Sequence, residues 1–139
     1  MRGRQLHDIA VATAVSSVVS GAPSTVHALV TGRGVLDAAR AAGTLIPGRE
    51  DRPGLVAGGI VHGVVSAFWG AVLGVFLPRR NTAAWGAVAG LGIAAVSLLT
   101  VGRRRPAIAA LPQVPQWLDN VAFGFVVGWL LSRAHAEAS

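Results

Sequence analysis

Residues 54–77, GLVAGGIVHGVVSAFWGAVLGVFL, run for 24 positions with no charge at neutral pH unless His62 is protonated. Held as a helix rising about 1.5 Å per residue, such a run crosses roughly 30 Å of hydrocarbon. In a lipid core every backbone N–H and C=O must find its partner within the chain, so a run of this kind is restricted to a helix. That one stretch commits the chain to an all-α membrane fold.

Three further runs extend the pattern. Residues 9–31 are apolar enough to enter a bilayer but carry a polar line, Thr13, Ser17, Ser20, Ser24, His27 and Thr31. Steps of three and four keep these residues on one helical face. Pro23, next to Gly21 and between Ser20 and Ser24, removes a helical hydrogen bond and predicts a kink or a break. Residues 83–101 form another span, stopped by Gly102 and the Arg103-Arg104-Arg105-Pro106 run. A fourth, 115–132, starts near Pro115, which suits a first helical turn, although it carries Asp119 and Asn120 early. The expected architecture is therefore a single integral membrane domain over 1–139 with four transmembrane helices. The basic lead Met1–Asp8 ahead of an apolar run is also the opening of a signal peptide, but Pro23 after Ser20 and Ala22 makes a poor cleavage point.

Composition agrees. Hydrophobic residues make up 53% of the 139 and charged ones 13%, against about 25% charged in ordinary soluble domains. The net charge of +6 comes from twelve Arg and no Lys set against six acids. These arginines lie between the apolar runs, so the expected partners are the bilayer and its anionic lipid head groups, not nucleic acid. With no cysteine, disulfides and thiol chemistry are excluded.

Between the first two spans, Val35, Leu36, Ala39, Ala42, Leu45 and Ile46 form the apolar side of a short interfacial helix, or else the stretch is a polar connector. Laying FWGAVLGVFLPRR over AFGFVVGWLLSR puts Gly70 on Gly124 and Gly74 on Gly128. This admits a repeat of two hairpins, although glycine and leucine are common enough in membrane helices to match by chance. Pairs at GxxxG spacing include Gly59/Gly63, Gly70/Gly74, Gly86/Gly90 and Gly124/Gly128. They predict close helix packing, within the chain, in a homo-oligomer or against a partner membrane protein.

Threading four spans up and down brings the loops 32–53 and 102–114 to one side. Ser24, His27, His62, Ser66, Ser97, Thr100, Asp119 and Asn120 then fall within roughly 6–18 Å of that side. They form a one-sided polar cup, a candidate binding vestibule. Ionisable groups inside a span mark sites, and Asp119 with His62 or His27 makes a carboxylate–imidazole pair suited to relaying protons or holding a ligand. The plainer alternative has Asp119 favouring a helix N-terminus while the histidines bond nearby serines. If the first span breaks at Ser20-Gly21-Ala22-Pro23, its second half presents free amides to an anion; a mere kink does not. No metal or cofactor is implied, and hydrolase, zinc-protease, P-loop and dinucleotide signatures are absent.

The SGAPST and DNVAFG stretches are similar to those of small four-helix membrane proteins of high-GC bacteria. That resemblance implies a bacterial inner-membrane location and no particular activity. Three function classes follow: a small transporter or channel-like subunit, a non-catalytic membrane subunit or chaperone docking a partner, and a membrane enzyme using Asp119 and a histidine on a lipid-like substrate. Orientation is finely balanced. Arg2, Arg4, Arg79, Arg80 and Arg133 would share one side, and Arg33, Arg40, Arg49, Arg52 and Arg103–Arg105 the other, which fits either dual topology or a direction imposed from elsewhere.

Overall fold

A computed structural model describes residues 2–137. Among them the chain is helical with no strand. The first polar-lined run forms α1 (Arg2–Val19) and α2 (Ala22–Thr31). The helix begins well before the expected residue 9, because the polar lead Arg2–Asp8 simply continues it. Hydropathy marks where a helix meets lipid, not where it starts. The chain breaks at Ser20-Gly21, where Pro23 has no N–H to continue the ladder. Gly32, at φ 68°, ends α2 in the left-handed region, and the N–H groups of Gly32 and Arg33 both return to the Ala28 carbonyl.

The next connector holds a short helix, α3 (Asp37–Ala42), tightened into a 3-10 turn over Gly43–Leu45. It does not lie free at an interface. Ala41 and Thr44 are buried, and α3 is pressed onto the start of α4 (Leu55–Phe76). A Cβ on Gly58 would overlap the Ala39 carbonyl, and one on Gly43 would meet the Gly54 carbonyl. After a turn at Pro78–Asn81 comes α5 (Thr82–Val96), whose buried Thr82 hydroxyl donates to the Pro78 carbonyl at 2.9 Å. The helix continues through a π turn over Ser97–Val101 and a 3-10 turn over Gly102–Arg104. A single turn, α6 (Pro106–Ala109), precedes the long α7 (Gln113–Glu137).

Three helical stretches are long and apolar enough to cross a membrane: Gly3–Thr31, Leu55–Phe76 and Thr82–Arg104. The expected fourth span is not among them. It exists as the full-length helix α7, but Gln113, Gln116, Asp119 and Asn120 in its first two turns dilute its hydropathy. Exposed Val30, Val56, Phe76, Val18 and many similar side chains coat the outside. A surface this apolar points to a membrane location.

Packing follows the glycines. α7 lies at the centre and touches α1, α2, α4 and above all α5, whereas α4 and α5, though consecutive, barely meet. Along α5 and α7 the backbones themselves are in contact. Gly86 faces the Gly124 carbonyl, Gly124 faces that of Gly86, Gly128 meets Thr82, and Gly90 meets Asn120. Small residues at this spacing let two helices approach with no side chain between them. α1 and α4 are held apart by side chains, with Thr13 on Gly70 and Ile9 on Gly74. Gly59 and Gly63 face open space, so this pair makes no packing contact within the chain. The main core joins Ala12, Leu73, Ile93, Phe123, Val127 and Leu131.

At the loop end a second cluster, Ala41, Ala94, Leu98 and Ile108, ties α3 to the end of α5 and to α6. Above it Arg105 pairs with Glu50 at 3.5 Å, so the two loops expected on one side do meet there. Glu50 also accepts the Gly48 N–H at 3.1 Å. Its own and the Gly48 backbone amides, then Arg105, hold its carboxyl below the ordinary value of 4.5. The tether is accordingly at full strength at neutral pH and is lost as pH falls below 4.5 through the lower folded value. We expect a small loss of thermal stability in that range, absent in Glu50→Gln and reduced by salt. Identical pH profiles for the two proteins would remove the tether.

Candidate functional site

The break between α1 and α2 leaves amides without helical partners, and one of them is used. The Ser24 N–H, which an unbroken helix would direct to the Ser20 carbonyl, donates to Asp119 Oδ1 of α7 at 2.9 Å. The anion at this helix start is therefore the chain's own carboxylate, an arrangement that both the free amide and the helix dipole favour. Ser24 Oγ closes back on the Gly21 carbonyl at 3.2 Å. About two turns earlier than Ser24, His62 of α4 donates from Nε2 to the Ser17 carbonyl at 2.8 Å. A carbonyl only accepts, so this bond requires the proton on Nε2 and leaves Nδ1 as the second ring nitrogen.

These two bonds flank an open cavity of about 370 Å³. Of the residues singled out from the sequence, Ser24, His62, Ser66, Asp119 and Asn120 line it, as do Ser20 and Gly21 of the break. Pro23 shapes the break but does not line the cavity. Asn120 donates to its own helix, at the Gln116 carbonyl, 2.9 Å away. His27 falls elsewhere. It lies in a small recess of about 40 Å³ beside Arg33 and Asp37, one helical turn beyond Ser24. Ser97 and Thr100 also stand outside the cavity, Thr100 bonding the Val96 carbonyl of its own helix. Among the described residues no three His, Asp or Glu side chains gather as a metal site requires.

Sequence reasoning missed the cavity's deeper half. Trp69 and Phe123 line it, together with Val65 and Ile93, while Ser17 of the polar line and Gln116, nearer the loops, complete the wall. A signal for them existed. Trp69 follows His62 by seven positions and Phe123 follows Asp119 by four, so each continues the face of a residue already in view. The cavity is thus layered. Polar groups sit toward the loop side, aromatic rings lie about one to two turns deeper, and the core around Leu73, Val127 and Leu131 closes the other end. α3 supplies Ala38, Ala39 and Ala42 to the wall.

No family model, curated protein or solved structure matches this chain, so the reading of the site rests on its own geometry.

Proposed function

We propose that the chain is a multi-pass protein of a bacterial inner membrane and acts as a small transporter subunit, with the cavity as its solute vestibule. The observation that carries this reading is the layered cavity itself: polar toward one set of loops, lined by Asp119 of α7 and His62 of α4, and closed on the other side by apolar side chains. Ionisable groups at such depth are costly and are kept where solutes or protons pass. A broken helix beside them is the usual construction of a membrane solute site.

In this proposal α7 is the fourth span. It runs antiparallel to α5 in backbone contact from Thr82–Gly128 to Gly90–Asn120, and a helix locked along a spanning helix shares its depth. The contacts also favour the two-hairpin repeat. Gly70 and Gly74 face α1, and their counterparts Gly124 and Gly128 face α5, so in each hairpin the second helix turns the same glycines on the first.

The test is flux in liposomes containing the purified protein, reading proton movement with an internal pH dye and solute uptake alongside. We expect uptake above empty liposomes, lowered at least tenfold by Asp119→Asn. Absence of any protein-dependent flux would refute transport. A docking role is favoured by one observation, the uncovered Gly59/Gly63 pair between exposed Val56, Ile60 and Val64. Its mark would be a stoichiometric membrane partner, or a second copy, lost on Gly63→Ile. Orientation is open to a separate check with C-terminal reporters active only inside or only outside the cytoplasm. Equal signals from both are expected of an antiparallel dimer, and signal from one alone eliminates that form.

A further inference from the structure

The chemistry of the cavity wall narrows what it takes. Asp119 is its only carboxylate among the described residues, and no Arg lines it. The one other ionisable group, His62, has its Nε2 proton engaged by the Ser17 carbonyl. An anionic solute would meet a carboxylate with no fixed cation to offset it, and like charges at short range in a poorly solvated site repel strongly. A cation meets the opposite situation. Asp119 Oδ1 is occupied by the Ser24 amide, but a carboxylate offers several lone-pair positions and accepts further bonds or a close ion pair.

Below the carboxylate the wall changes character. Phe123 follows Asp119 on the same face of α7, and Trp69 occupies the facing α4, with Val65 and Ile93 beside them. The faces of Trp and Phe rings attract cations, and quaternary ammonium groups are recognised in this way. The part of the wall formed by Val65, Trp69, Ile93 and Phe123 suits an apolar or aromatic body, because hydroxyls buried there would be left unpaired. The volume of about 370 Å³ lies at the small end of ligand pockets, which run from roughly 300 to 1,000 Å³.

We propose that the cavity binds a small organic cation, an amine or quaternary ammonium with an apolar or aromatic body, its charge at Asp119 and its body between Trp69 and Phe123. This names the solute class for the vestibule described above and rests on that reading of the cavity.

The test is calorimetric titration of the whole chain in zwitterionic lipid nanodiscs, which contain no anionic lipid to attract cations. The probes are benzyltrimethylammonium and benzenesulfonate, both permanently charged. Saturable binding of the cation and none of the anion is the expected result. Asp119→Asn should weaken the cation at least tenfold and Trp69→Leu several-fold, each in protein whose thermal unfolding remains cooperative. If Asp119→Asn does not fold, Trp69→Leu decides. Equal binding of the anion, no cation binding at 10 mM (about 100-fold weaker than a 0.1 mM site), or unaltered binding in the folded variants overturns the inference. The two proposals fail separately: cation binding without flux leaves the ligand class standing and removes transport, and flux without cation binding does the reverse.

Discussion

Gly124→Ile is expected to leave little folded protein in detergent, and Gly86→Ile the same. A side chain at either position would enter the backbone carbonyl of the other. Overpacking costs about 1–3 kcal/mol where neighbouring side chains can yield. Here the obstacle is main chain, so α5 and α7 must separate and abandon their shared contact. Gly70→Ile should cost less, because it displaces the Thr13 side chain, and Gly63→Ile almost nothing, because no atom lies within 4 Å. Val75, 67% exposed, supplies the control. Thermal unfolding midpoints of the five variants should follow that order. A midpoint for Gly124→Ile equal to that of Gly63→Ile would mean that the two helices do not touch through glycine.

The second large effect concerns the break. Asp119→Ala removes the acceptor for the Ser24 amide and should cost about 1–2 kcal/mol, the upper range for an interhelical hydrogen bond in a membrane protein. Pro23→Ala acts on the same bond from the other end. It restores an N–H for the Val19 carbonyl, favours a continuous helix through Ser20-Gly21 and draws the Ser24 N–H back toward the Ser20 carbonyl. In that straightened background Asp119 has less to hold. The double variant should therefore lose less stability than the two single losses combined, a coupling that a double-mutant cycle reads directly. Strict additivity would show that the break and the carboxylate are independent.

Much of this arrangement is legible in the sequence, and what is not has physical reasons. The uncharged run 54–77, the break at Ser20-Gly21 and the gathering of Asp119 and His62 near one set of loops follow from periodicity, rise per residue and the chemistry of proline. Periodicity places residues on a face but does not say which neighbour that face meets. Gly59/Gly63 and Gly86/Gly90 look alike in the sequence, yet one pair is bare and the other sits against a backbone. His27 continues the polar line of Ser20 and Ser24, but Gly32 ends α2 one turn later, and the side chain joins Arg33 and Asp37. Gly58 has GxxxG spacing with Gly54, but the glycine it approaches, Gly43, lies across a loop, a contact that no spacing along one helix reveals. α7 escapes a hydropathy threshold because the residues that give it a site are the ones that dilute it.

The two hairpins are built alike at one end and unlike at the other. Between α5 and α7, contact continues inward to Gly90 and Asn120. Between α1 and α4, the glycine contacts stop at Thr13 and Gly70, and beyond that crossing the two helices line the cavity and are bridged by the His62–Ser17 hydrogen bond at 2.8 Å. Mechanically, one pair is a stiff spar and the other a pair of arms crossing at a fulcrum and tied beyond it. A swing of α4 about that crossing would have to break the His62–Ser17 bond and slide α4 past α3, which the Ala41, Leu98 and Ile108 cluster holds to the end of α5. Bulk added at Ser66 would wedge the arms, and shortening Thr13 would loosen the pivot. Neither change reaches the contact that holds the molecule together.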